Sequence, residues 1–529
     1  MSTTAIRPNA TLLGHPVGLF LLFAVEMWER FSFYGMRAIL GLYLKSALTG
    51  MATPPTGAPE GFNPGRGWSQ ADANNLQGWY GGMAYLLPIA GGFIADKFIG
   101  THRSMLVGGI LIALGHITLG VSGMGGMESS ATGMSTFIAG LALIVIGTGH
   151  FKPSVSVMVN QLYPEGDVRQ QGAFGIFYVG INLGSLLGTA GVGYVGERIG
   201  WHWGFTLAAI GMIAGLIIYK IFREKYLSGI GLPPDGRGRS APLFVLSGIV
   251  AAALVGIGFH VGVLKIIDDF CSSPYVFYSL LFGGIAWATW FSATQERGDR
   301  GPVATIFIFM GFNFLFWLAF EQAATSVNFF TDEKVNRQLG AFLVPTSWFQ
   351  NINPFTIIIL SPIFGAMWVM LSRRKFSVPQ PVKIGLGLIW LGVGYIFMVI
   401  AGMQVRDGIM ASMWLLFATY FLQTIGELFL SPTGLSYVSK AAPKQYSSLL
   451  MGVWFISSFL AYTVGGKLAG HADAATIANA RFFFQDWGID FGGGYANFFF
   501  LFVFLSIGGG ILIILLTPLL RRMMRHPDD

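Results

Sequence analysis

Runs of about 20 apolar residues recur along the whole of this 529-residue chain, and nothing else narrows its fold as much, because a run that long and unbroken is what a helix needs to cross a bilayer. Fourteen such runs lie between charged or Pro/Gly-rich breaks. Six fall near 17–44, 74–96, 104–123, 136–160, 172–195 and 203–223. A linker, EKYLSGIGLPPDGRGRS, occupies 224–240, and two further runs at 241–264 and 275–294 are expected to form a hairpin. Six more follow near 301–328, 350–372, 382–403, 409–436, 446–469 and 496–520. The chain is 53% hydrophobic and only 11% charged, against about 25% charged in soluble proteins. Continuous runs, not short alternating segments, argue for an all-α polytopic membrane protein and against a barrel.

The arithmetic of six, two and six predicts three parts: an N-terminal six-helix bundle at 1–223, a cytoplasmic linker with a two-helix hairpin at 224–300, and a C-terminal six-helix bundle at 301–529. In this count Lys97 and Arg103, Arg223 to Arg239, Arg297 and Arg300, Arg373 to Lys375, Lys440 and Lys444, and Arg521 to Arg525 all fall on one side, which predicts that both termini are cytoplasmic. The formal net charge of +7 is spread through these short loops instead of forming a basic patch with interleaved aromatics, so nucleic acid is not an expected partner. A single cysteine, Cys271, excludes an intramolecular disulfide and a Cys-based metal site. The first sixteen residues lack a basic region leading to a cleavage site, so the first span is expected to stay. Gly180, Gly184 and Gly188, at four-residue spacing, predict a face for close helix packing.

The first span is anomalous. LLFAVEMWERFSFYGMRAILGLYL carries Glu26, Glu29, Arg30 and Arg37, and each charge at the centre of a spanning helix costs roughly 2.5–3.5 kcal/mol if unpaired. At 100° per residue Glu26, Glu29, Arg30, Phe33, Tyr34 and Arg37 share an arc of about 140°, one polar face towards the bundle interior. Glu26 and Arg30 form an i,i+4 pair, whereas Glu29 and Arg37 are expected to need partners elsewhere. Three other charged residues lie well inside spans: Lys152, Glu321 and Glu427. The set of four carboxylates and three cations is neutralised by one bound proton, which makes a proton the expected coupling ion. The same charges could serve only as ion pairs holding helices in register.

Pro153, Pro354 and Pro432 are expected to break or bend their helices. His116 and His150 are read as packed, hydrogen-bonded residues in preference to proton relays. Tyr34, Tyr85, Trp317 and Trp454, with Phe316 and Phe455 beside two of them, lie at similar depths. A cavity of aromatics and charges suits a zwitterion with variable side chains, although the aromatics could equally be core or interfacial packing.

Two halves joined by a cytoplasmic linker are the plan of secondary transporters, and GGFIADKFIGTHR, with Gly92, Asp96, Lys97, Gly100 and Arg103, resembles the loop 2–3 signature of the major facilitator superfamily. EMWERFSFYGMR resembles the ExxERFxYYG signature of the proton-dependent oligopeptide transporter (POT) family within it, and FGIFYVGINLGSLL at 174–187 resembles that family's second signature. GTGHFKPSVS, FWLAFEQAATSVNFF, FQNINPFTIIILSPIFG, GELFLSPTGLSYVSKAAP and MGVWFISSF are similar to its fourth, seventh, eighth, tenth and eleventh helices. Phe33 departs from the family's first tyrosine, and Ser104 and Met105 from the loop signature.

The resemblance implies a proton-coupled importer of di- and tripeptides working by alternating access in a bacterial inner membrane, with no cofactor besides protons, no metal and a monomeric state. It implies that Glu26, Glu29 and Arg30 couple the proton with Lys152, and that Arg37 and Glu321 bridge the halves. Lys152, Arg37, Asn182 and Tyr34 would hold the peptide carboxylate; Glu427 would receive the amino terminus with Asn353 nearby; Tyr85, Trp317, Trp454 and Ser458 would line side-chain pockets. Alternatives are a relative moving nitrate, a single amino acid or a drug-like anion, or a receptor that binds peptide without moving it. No HExxH, GxSxG or phosphate loop supports an enzyme.

Overall fold

The computed structural model describes residues 11–51, 58–59, 61–233, 240–374, 377–472, 477–478 and 480–524. Arg237, Arg239, Lys375 and Arg525, used above for orientation, lie outside the described residues. Among the described residues twelve helical stretches are long and apolar enough to cross a bilayer. The longest, Gln70–Val121, holds two helices, and the charged first helix, Val17–Lys45, is 29 residues long and adds one more, giving fourteen.

The helices are α1 (Val17–Lys45), α2 (Gln70–Ile94), α3 (Gly100–Val121), α4 (Ala131–Gln161), α5 (Arg169–Arg198), α6 (Trp201–Tyr226), α7 (Ala241–His260), α8 (Val263–Ser272), α9 (Pro274–Thr294), α10 (Arg300–Phe320), α11 (Ser326–Lys334), α12 (Ile352–Arg373), α13 (Gln380–Arg406), α14 (Met413–Ala441), α15 (Ser447–Gly470) and α16 (Gly494–Met523). Residues 1–68 and 83–264 make one compact unit, and residues 69–82 with 265–529 make a second. The first turns of α2 thus group with the second unit. Of the two helices expected as a hairpin, α7 packs on α3 and α4 whereas α9 packs on α10. The short α8 between them was not foreseen.

Within the first unit α1 packs on α5 and α6, and α3 on α4 and α6. Glycines set the spacing. A Cβ on Gly184 would lie 2.1 Å from the Met27 carbonyl oxygen, and one on Gly188 would lie 2.2 Å from that of Phe31, so the expected glycine face is the α1–α5 seam. In the second unit α13 packs on α14 and α16, where Gly387 meets Gly426 and Gly385 meets Gly510. Without a hydrophobic drive between helices in lipid, such close backbone approach supplies the van der Waals contact that holds them.

The loop 2–3 motif folds as a π-helical turn, Ala95–Ile99, ended by Gly100 at φ +77°. Gly100 has no room for a Cβ, because the linker at Gly231 and Pro233 lies against it and His102 N donates to Gly231 O. No break occurs in α4 or α14, which run on past positions 153 and 432, and Pro354 sits in the first turn of α12, where its missing N–H is not needed. The break occurs instead in the span expected at 301–328. There α10 ends at Phe320, Glu321–Ala324 form a 3-10 turn, and α11 begins at Ser326. Hydroxyls from neighbouring helices stabilise it, since Tyr395 donates to the Ala319 carbonyl at 2.6 Å and Tyr420 to that of Ala323 at 3.2 Å.

Among the described residues two buried arginines outside the spans are held by hydrogen bonds. Arg66 donates to the Tyr43 hydroxyl at 2.5 Å and to the carbonyls of Met127 and Ser122, while Arg337 bonds Asp332 and the Val344 carbonyl.

Candidate functional site

The charged face of α1 folds into a compact group in the first unit. Arg30 Nε lies 2.9 Å from Glu26 Oε1 and 2.5 Å from Glu29 Oε2, all three side chains being almost wholly buried. Glu29 therefore finds its direct partner on its own helix, one residue away, and not only on another helix as expected; the guanidinium reaches both carboxylates at once. Both Glu29 carboxylate oxygens, and Arg30 Nε and Nη2, are buried in charge contact but without a hydrogen-bond partner among the described residues. Lys152, on α4, acts electrostatically on Glu29, Glu26 and Arg30.

Aromatic rings complete the group. Lys152 Nζ stands 4.0 Å from the centre of the Tyr85 ring, and Arg30 Cζ 5.5 Å from that of Phe33. Phe33 thus keeps a role in packing the cation although it lacks the family's hydroxyl. Tyr34 and Tyr85 both lie close enough to act on Arg30. Tyr34, Arg37, Tyr85 and Lys152 are only partly buried, and Asn182, on α5, is buried with its amide donating to the Tyr178 carbonyl at 2.9 Å.

The second unit carries the remaining expected residues. Asn353, in the first turn of α12, donates to Glu427 Oε2 at 2.8 Å and to Thr424 Oγ1 at 3.1 Å. Glu321 opens the broken segment after α10, accepts a hydrogen bond from the Tyr462 hydroxyl and acts electrostatically on Glu427. Trp317 Nε1 donates to Asn313 Oδ1 at 3.1 Å, and Asn313 Nδ2 to Ser457 Oγ at 2.9 Å, joining α10 to α15. Trp454 and Ser458 are buried on α15, and the Trp454 ring lies over Gly434, where a Cβ would come within 2.5 Å of it.

Three participants were not foreseen: Tyr462, Asn313 and Thr424. Each is an uncharged residue on a helix of many such residues, and its partner lies 71 to 144 positions away in the chain. Gln322 is a fourth, donating to the carbonyls of Leu318 and Gly465; its place beside Glu321 was the only available signal. Of the histidines, His150 bonds Ser104 at 3.1 Å, which gives that unusual loop residue a structural use, whereas His116 is fully buried with no partner for either ring nitrogen among the described residues.

The seven charged residues expected well inside the spans thus divide unevenly. Glu26, Glu29, Arg30, Arg37 and Lys152 lie in the first unit, three cations against two carboxylates; Glu321 and Glu427 lie in the second, two carboxylates with no cation from the set. The first unit suits an anionic ligand group and the second a cationic one.

The model of the POT family matches residues 102–484. The chain is 33% identical to the peptide transporter YePEPT of Yersinia enterocolitica over 99% of each protein, and 34% identical to a di-/tripeptide transporter of Lactococcus lactis subsp. cremoris over 89% of this chain and 92% of the relative. A crystal structure of a POT family transporter in complex with 5-aminolevulinic acid superimposes with a TM-score of 0.76 at 29% identity, covering 97% of this chain and 98% of that one. The chain belongs to the POT family, a family of secondary transporters and not of enzymes, with a fold like that of the major facilitator superfamily.

Proposed function

We propose that this protein imports di- and tripeptides together with protons by alternating access, and that both termini are cytoplasmic in a bacterial inner membrane. The observation that carries the reading is the charge division just described: an excess of cations in one unit and two carboxylates in the other complement a zwitterion whose charged ends are fixed and whose side chains vary. The substrates named for the relatives in Yersinia and Lactococcus support it, as does the bound ligand of the structural neighbour, which carries an amine and a carboxylate.

In this mechanism the peptide carboxylate is held by Lys152 and Arg37 with Asn182 and Tyr34, and the amino terminus by Glu427, which Asn353 orients through its 2.8 Å hydrogen bond. Tyr85, Trp317, Trp454 and Ser458 line the side-chain pockets, where aromatic walls accept many shapes. Glu29 takes the proton: neither carboxylate oxygen has a hydrogen-bond partner among the described residues, and neutralising it frees Arg30 and Lys152 from part of their compensation. Arg37 and Glu321 respond as a bridge that forms and breaks in the cycle, with the Tyr462 hydroxyl holding Glu321 in place.

The test of the substrate class is competition against labelled dialanine. Unlabelled dialanine should compete, whereas N-acetylated dialanine and nitrate should not. Glu427→Gln should weaken dialanine roughly tenfold or more, as loss of a charge-assisted bond does. Equal competition by the acetylated peptide would contradict the role of Glu427 and favour the anion transporter.

A further inference from the structure

The short helix α8, between two spanning helices, has two unlike faces. Val263, Ile266, Ile267 and Phe270 recur at helical spacing and are 44 to 68% exposed. Such an apolar stripe suits the outer interface of the bilayer, the side on which α8 falls in the proposed orientation. The opposite face is bonded to protein. Asp268 accepts from Asn75 Nδ2 and from Trp79 Nε1, both at 2.8 Å, and Lys467 Nζ lies 3.1 Å from the same carboxylate. Lys467 also bonds the Ser272 hydroxyl. Partial burial of the Asp268 carboxyl is outweighed by the hydrogen bonds from Trp79, Lys467 and Asn75, which hold it below its ordinary range.

One carboxylate thereby joins two helices, since Asn75 and Trp79 belong to the first turns of α2 and Lys467 to the last turn of α15. These helices cross there on glycines. A Cβ on Gly78 would lie 2.7 Å from the Tyr462 carbonyl oxygen, and one on Gly466 would lie 2.6 Å from that of Asn74. The contact carries a burden as well, because the side-chain amides of Asn74 and Gln77 are buried with no hydrogen-bond partner among the described residues. Unpaired buried amides favour opening to water, so an added tie is needed to hold the contact shut.

We propose that α8 is an outer latch: seated in the outer lipid interface, it holds the first turns of α2 against α15 through Asp268, and each opening of the outer side breaks that hold. The latch rests on the alternating-access reading and gives the two additional spanning helices a purpose, since they deliver α8 to this place.

The test uses Cys271→Ser protein carrying Ala71→Cys and Gly470→Cys, because a Cβ on Gly470 would stand 3.2 Å from that of Ala71. In proteoliposomes the parent should cross-link readily under mild oxidation with iodine. Asp268→Asn and Lys467→Gln should each slow cross-linking roughly two- to fivefold, the range for a partly exposed ion pair, and Asp268→Glu should restore much of the rate. Cross-linking of both variants at the parental rate would overturn the latch. Peptide flux is measured separately in the Cys271→Ser protein; its absence would overturn the transporter reading, whatever the cross-linking rates.

Discussion

Arg30 faces two carboxylates, so the consequences of removing either kind of partner differ. Glu29→Gln leaves the Glu26–Arg30 pair at 2.9 Å intact, and the protein should fold, exchange peptide by counterflow and fail to accumulate it against a gradient. Loss of counterflow as well would make Glu29 a structural residue. Arg30→Gln strands two buried carboxylates, which costs about 3–5 kcal/mol when a buried pair is broken, and should lower the thermal midpoint well below that of Glu29→Gln. The identities of these residues were legible in the sequence, because charges in a spanning helix must be explained. Their pairing was legible only in part: helical spacing indicates Glu26 with Arg30, but the 2.5 Å contact between adjacent Glu29 and Arg30 depends on side-chain reach. The partners Tyr462, Asn313 and Thr424 had no signature at all, since an uncharged polar residue in a membrane helix can bond its own backbone and needs no explanation.

Helix pairs show where sequence pattern suffices and where it does not. The four-residue glycine spacing marked the α1–α5 seam because only a residue without a Cβ fits 2.1 Å from the Met27 carbonyl. Gly184→Ala should therefore cost about 1–3 kcal/mol, as overpacking does, and lower the thermal midpoint, whereas Gly283→Ala, with nothing within 4 Å, should leave it unchanged. Prolines did not mark the break, since helices in a membrane continue past them when neighbours supply what is lost. The break at Glu321 was hidden because the hydroxyls that satisfy its carbonyls come from Tyr395 and Tyr420 on distant helices, with no local Pro or Gly to announce it. At the start of α16, Asp490 accepts from Asn497 and from the N–H groups of Gly492 and Gly493, and these bonds hold its carboxyl down to about 2 from an ordinary 3.8. A depressed carboxylate stabilises the fold above its unfolded pKa and loses that effect as pH falls through the folded one. Asp490→Ala should thus lower the thermal midpoint by a constant amount down to about pH 4, with the difference from wild type shrinking only below that.

Across the whole molecule, composition and the fourteen apolar runs carried the fold class, and the length of the resemblance carried the family. Two features of organisation lay beyond both. The first turns of α2 group with the second unit, and α7 and α9, consecutive spans, pack on different partners. Neither leaves a trace in hydropathy, which records how far a segment is apolar and not what it packs against. In the proposed function the charges inside the spans convert a proton gradient into peptide accumulation. A membrane potential adds about 2.3 kcal/mol per charge per 100 mV to whatever the pH difference supplies, so the effect should be large. The direct measurement is uptake of labelled dialanine into proteoliposomes under an imposed inward proton gradient, with and without an ionophore that collapses it. Accumulation that disappears with the ionophore is the predicted result; uptake unchanged by the ionophore would contradict proton coupling.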